Sequence, residues 1–165
     1  MINLLEAAQT KAEKGNYILQ MELRGSAEIA IGAARKHTFI AGFYLYIGSA
    51  YGGGGMQSRI NRHLDKEKKL HWNIDYLTNR ANIVSVWTIT PPASIEHTIA
   101  ARIFKNNILT AAMERFGSAD CNCATHLFYS PKKISLKKIN MLLLPVASLF
   151  GGFEDYRDRI NYHGL

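Results

Sequence analysis

The chain has 165 residues, 47% hydrophobic and 20% charged, enough for one domain with a real core and too apolar for a disordered segment. Twenty Lys and Arg against thirteen Asp and Glu leave a formal charge of +7, which points to a polyanionic partner, nucleic acid first and an anionic membrane surface second. Cys121 and Cys123, the two cysteines, exclude a disulfide framework and suit a reducing, cytoplasmic setting. The N-terminus lacks a secretory pattern. The longest apolar run, Met141 to Phe150, contains Pro145 and is too short to span a bilayer, so no membrane partner is expected.

Ile2, Leu4, Leu5, Ala8 and Ala12 suggest a short N-terminal helix closed by Gly15. Asn16 to Arg24 alternates, with Tyr17, Leu19, Met21 and Leu23 on one face, and reads as a strand. Glu28 to Gly32 and Phe43 to Gly48 read as two more. Met56, Ile60 and Leu64 form the stripe of a helix from Met56 to about Lys66. Asn82 to Thr90 is a further strand, stopped by Pro91-Pro92, and Ser94 is placed to cap one long helix reaching about Arg115. A short strand follows at Thr125 to Tyr129. The Met141–Phe150 run is readable as a core strand, a dimer surface or a docking segment. Together these predict an α+β fold, a small, mainly antiparallel mixed sheet flanked by helices. Residues 1–130 form the domain, and 131–165 a C-terminal extension packed on it.

Several groups carry chemistry. The glycines from Gly52 to Gly55 precede a helix N-terminus, whose free N–H groups suit a phosphate; they also suit an ordinary flexible loop. Arg59, Arg62 and His63 lie on that helix, either beside the loop or as a solvated face. Tyr44 and Tyr46 share one face of their strand. Glu96 heads the apolar stripe of Ile99, Ala100 and Ile103, so its carboxylate needs a cation or a metal, or is a first-turn acid favoured by the helix dipole. In His71-Trp72-Asn73-Ile74-Asp75-Tyr76 the pattern turns Trp72 and Ile74 inward and His71, Asn73 and Asp75 outward, as a structural cluster or a DNA-contacting edge. Cys121, Cys123 and His126 supply three soft donors, a possible secondary site with Asp75. A structural zinc set wants four ligands and wider cysteine spacing, so zinc is not expected; the fourth donor would have to be His63 or His71.

Gly15-Asn16-Tyr17, Tyr46-Ile47-Gly48-Ser49-Ala50, Arg59, His63 and Glu96 stand in the order of a known set of signatures. By these residues the chain resembles the GIY-YIG nuclease superfamily. The blocks His71 to Leu77, Phe116 to Cys123 and His126-Leu127-Phe128 resemble its small prokaryotic Uri-type endonuclease branch. The resemblance runs from about Gly15 to Tyr129. Asn16 departs from the isoleucine of the first signature, Asn73 stands where relatives often have histidine, and the superfamily's asparagine has only Asn106 or Asn107 as counterparts.

The resemblance implies a metal-dependent endonuclease that hydrolyses phosphodiester bonds in nucleic acid, DNA expected, in a setting such as DNA repair. Glu96 would hold one Mg²⁺ or Mn²⁺. Arg59 would offset charge on the phosphoryl group. Tyr17 would orient or deprotonate the attacking water, Tyr46 would position it, and His63 would assist proton transfer. Ser49, Arg62, Lys66, Lys68, Lys69 and His71, with Arg80, would contact the nucleic acid. The rival readings are a non-catalytic nucleic-acid-binding accessory module and a zinc-stabilised interaction domain.

Overall fold

The computed structural model describes residues 13–32, 35–90, 94–146 and 160–164. The expected N-terminal helix and the end of the Met141–Phe150 run fall outside them. In chain order come β1 (Asn16–Leu23), β2 (Ala27–Ile31), β3 (Arg35–Phe39), β4 (Gly42–Ser49), α1 (Gly55–Leu64), α2 (Asn73–Thr78) and β5 (Asn82–Ile89). There follow α3 (Glu96–Lys105), β6 (Thr110–Ala111), β7 (Leu127–Ser130), α4 (Leu136–Leu143) and β8 (Ile160–Gly164).

Six of these strands make one antiparallel sheet in the order β6-β7-β4-β1-β5-β8, while β2 and β3 form a separate hairpin. The protein is α+β, as its sequence pattern predicts. β1 is central and buried on both faces, because its alternate side chains feed different layers. Ile18, with Leu45, Ile47 and Trp87, packs against Ile99 and Ile103 of α3 and Ile139, Leu142 and Leu143 of α4. On the other face Met21 and Tyr44 meet Ile29, Ile31 and Phe39 of the hairpin and Ile74 and Leu77 of α2. Each such side chain, fully buried, is worth roughly 1.5–3 kcal/mol.

Gln20, also completely buried on β1, does not waste its amide. It donates to the Ile134 carbonyl at 3.2 Å and accepts from the Ile134 N–H at 2.6 Å, so the segment leading into α4 is fastened to the central strand. Among the described residues, no helix is long and apolar enough to cross a membrane.

Three expectations are corrected. The long helix stops at Lys105: Asn106 caps it, Asn107 turns into left-handed backbone (φ 49°), and β6 follows. Ser94 does not cap it, since Ile95 holds that position and the Ser94 hydroxyl donates to Glu96 instead. Met141 to Leu143 are the last turn of a helix rather than a strand; Ser135 caps that helix, accepting from the Lys138 N–H at 3.3 Å. β3 is an addition, since its Arg-Lys-His-Thr-Phe sequence carries little apolar alternation and buries only Phe39 among the side chains described there.

Candidate active site

Where β1, β4 and α1 meet, the sheet opens into a cleft of about 400 Å³. Tyr17 enters it from β1, Tyr46 and Ser49 from β4, Arg59 and His63 from α1, and Trp72 from the turn before α2. The Tyr17 and Tyr46 ring centroids are 6.4 Å apart, and each ring lies near His63, at 5.4 Å and 6.3 Å. The Tyr17 hydroxyl and His63 Nε2 are hydrogen-bonded at 2.8 Å. Arg59 stacks on Trp72, its guanidinium carbon 4.2 Å from the ring centroid, which holds a cation at the mouth without neutralising it.

Two signature glycines have a steric cause here. Gly48 sits opposite Tyr17 in the β1–β4 register, and a Cβ there would lie 2.3 Å from Tyr17 Cζ and 2.5 Å from its hydroxyl. A Cβ on Gly15 would meet the Ile89 carbonyl at 2.4 Å and Met56 Sδ at 2.8 Å. Neither glycine has the positive φ that would call for it on conformational grounds. Both are there because the space is already filled.

Burial sets the protonation states. It pushes Tyr46 up to about 12 and Tyr17 well above the ordinary phenol value, while the Arg59 charge pulls both the other way. Burial likewise lowers His63 to about 4, with Asp75 partly opposing. At neutral pH the pair is therefore a neutral phenol bonded to a neutral imidazole. The sign of its pH dependence follows. Between the unfolded value of 6.5 and the folded value of about 4, the unfolded chain takes a proton that the folded chain refuses. Stability thus falls as pH drops through that window. His63→Gln should flatten the slope, by about 1–2 kcal/mol between pH 7 and pH 5. Urea midpoints of both proteins at the two pH values would show it, and parallel pH dependence would contradict it.

Glu96 lies just outside the cleft. Its side chain is 11% exposed. Its Oε2 accepts from Asn16 Nδ2 at 2.8 Å and from the Ser94 hydroxyl, and Ser94 in turn contacts Ser49 of the cleft wall at 3.5 Å. Its charge raises the pKa of both Tyr17 and Tyr46. The other end of the Asn16 amide accepts from the Ile95 N–H at 3.0 Å, so the residue that departs from the signature isoleucine fastens the N-terminus of α3. Among the described residues the one basic group within ion-pair range of Glu96 is His97, whose Nε2 is 3.5 Å from Oε1.

Other expected residues are placed differently. The glycine run is not part of the cleft lining, and two N–H groups at the start of α1 already have partners: that of Met56 goes to the Glu13 carbonyl at 2.8 Å and that of Gly55 to the Gly52 carbonyl at 3.4 Å. Gly54 and Gly55 serve the turn instead, at φ 85° and 62°. Lys66 reaches the Thr78 and Ala81 carbonyls, and Lys68 reaches the Asp65 carbonyl at 2.7 Å; both are tied to their own backbone. Arg62 is also occupied, bonded to Asp75 at 2.6 Å and to the Lys69 carbonyl at 2.9 Å. Asp75 points inward, fully buried, and accepts from the His71 and Trp72 N–H groups at 3.0 Å each. Burial alone would raise its pKa, but those bonds and Arg62 hold it below the ordinary carboxylate value. It is a structural anchor separate from the cysteines. His71, with Asn73, lines the cleft, and Lys69 and Arg80 are exposed. Asn106, at the far end of α3, donates to the Arg102 carbonyl and lies outside this cleft.

The Phe116–His126 loop closes the cleft's remaining side. Gly117, Ala119 and Asp120 line it, and Gly117 (φ 69°) crosses Tyr46, where a Cβ would come within 3.1 Å of the ring. The same loop brings Cys121, Cys123 and His126 together with His97 of α3, all four donor atoms within 4.8 Å of one another. His97 escapes a reading of the sequence because it is a lone histidine on a helix, remote in the chain from its companions. Trp72 escapes as a functional residue because an aromatic beside Ile74 reads as core.

Fold and cleft together define a small α+β protein with a phenol-, imidazole- and guanidinium-lined site at one edge of a central strand. The chain belongs to the family described as domain of unknown function DUF123, which matches residues 16–145. No curated protein and no solved structure matches it.

Proposed function

We propose that this protein is a metal-dependent endonuclease of GIY-YIG type, acting on phosphodiester bonds in nucleic acid, DNA foremost. The observation that carries the reading is the meeting of Tyr17, Tyr46, Arg59 and His63, from three separate elements, in one cleft. Glu96 supports it: a nearly buried carboxylate with no Lys or Arg within ion-pair range among the described residues fits a hard divalent cation, which takes carboxylate oxygen and keeps several waters. Bound there, Mg²⁺ or Mn²⁺ would act as a Lewis acid on a phosphate oxygen.

The chain's own groups supply the rest. Arg59 faces charge that develops on the phosphoryl oxygens, and Trp72 keeps its planar fork in place. The hydroxyl of Tyr17, fixed by His63, orients the attacking water; neutral at rest, it depends on nearby positive charge before it can release a proton. Tyr46 bounds the water from the other side. His71 at the cleft, Lys69 beside it and the exposed Arg80 beyond α2 would give a salt-dependent and largely sequence-blind hold on the backbone.

Single- and double-stranded DNA incubated with Mg²⁺ or Mn²⁺ tests this. Wild type should cleave, and Arg59→Ala and Glu96→Gln should each lose at least about 100-fold in rate, the scale of removing one electrostatic stabiliser. Cleavage left unchanged by both substitutions would refute the assignment. Binding without cleavage under either metal would mark a nucleic-acid-binding module instead.

A further inference from the structure

We infer that His97, Cys121, Cys123 and His126 form a closed, structural zinc site outside the cleft, which Glu96 meets only through the far nitrogen of His97. His97 Nδ1 and His126 Nε2 are 3.4 Å apart, His126 Nε2 and Cys121 Sγ 3.5 Å, and His97 Nδ1 and Cys123 Sγ 3.6 Å. With Zn–N near 2.0–2.1 Å and Zn–S near 2.3 Å, the edges of a tetrahedron come to about 3.3 Å between nitrogens and about 3.6 Å between nitrogen and sulfur. Three of the six donor-to-donor edges match those lengths, and the other three are no longer than 4.8 Å.

The surroundings hold those corners. His97 presents Nδ1 to the cluster and Nε2 to Glu96 Oε1, the carboxylate–histidine arrangement that fixes the ring of a zinc ligand. His126 is mostly buried and hydrogen-bonds the Ile47 backbone. Arg115, itself in left-handed backbone (φ 56°), donates to the carbonyls of Cys121 at 2.8 Å and Cys123 at 3.2 Å, which shapes the loop around both thiols. The two cysteines are free, not disulfide-bonded.

Donor chemistry selects the ion. Two thiolates and two imidazoles suit zinc and are poor ligands for magnesium or calcium. All four atoms within 4.8 Å enclose a single ion rather than a two-iron cluster. Four protein donors leave no open position for water, so the ion braces the fold and does no hydrolysis. It would tie the first turn of α3, next to Glu96, to the loop whose Gly117, Ala119 and Asp120 line the cleft.

Purification without chelator followed by elemental analysis should find stoichiometric zinc in wild type and in Tyr17→Phe, and little in Cys121→Ser or Cys123→Ser. Wild type stripped and reloaded with Co²⁺ should show the visible bands of a tetrahedral ion and a thiolate-to-cobalt charge-transfer band. That reading needs no variant to fold and no cleavage activity, so it stands or falls apart from the nuclease proposal. Wild type that carries no zinc, gives no thiolate–cobalt band and leaves both thiols equally reactive with and without added zinc would overturn the inference. So would zinc content unaltered by both cysteine substitutions in folded protein.

Discussion

Gly48→Ala should drive the Tyr17 phenol out of the cleft, costing about 1–3 kcal/mol of stability, the usual price of overpacking, and most of any cleavage activity. The new Cβ would sit 2.3 Å from Tyr17 Cζ, well inside contact distance. Tyr17 is 3% exposed and hemmed by His63 and Tyr46, so its ring moves only by breaking the bond to His63. A double-mutant cycle isolates the cause: in a Tyr17→Ala background the clash is gone, and Gly48→Ala should then cost little. Urea denaturation of the four proteins measures it. An equal cost in both backgrounds would show that Gly48 is constrained by something other than the tyrosine.

Asp75→Ala should be more damaging still, by about 3–5 kcal/mol, because it removes the one buried acceptor that a cation and two backbone donors share. Asp75 is wholly buried, and its Oδ2 accepts from Arg62 and from the His71 and Trp72 N–H groups. With it gone, Arg62 has lost its counter-charge, and the turn that positions Trp72 against Arg59 loses its anchor. Thermal melts of Asp75→Ala and Asp75→Asn read the effect. Asparagine should fall between alanine and wild type, since it keeps an acceptor but not the charge. A melting temperature unchanged by alanine would show that the ion pair contributes nothing.

What the sequence revealed follows from which physical signal each element carries. β1, β4, β5 and α1 were legible because alternation or helical period is strong where a face is buried, as with Tyr17, Leu19, Met21 and Leu23. Glu96 stood out as an acid at the head of an apolar stripe, and it is indeed buried beside Asn16. The overlong α3 was a failure of local reading: Ile108 and Leu109 continue the apolar content, but Asn106 and Asn107 end the helix by backbone geometry that composition does not announce. Arg62, Lys66 and Lys68 look like surface cations in one dimension, and only folding supplies the carbonyls and the carboxylate that claim them. His97 was invisible for the same reason, since its companions are brought to it by the β7 side of the sheet.

Asn16 has one more implication. A single amide, sunk in the middle strand, grips both the Ile95 N–H and the Glu96 carboxylate. Were α3 to slide even one turn along the sheet, three buried polar groups would be stripped of their mates at once. The helix is therefore keyed at one axial position, and the acid it carries is held at its post by the fold alone.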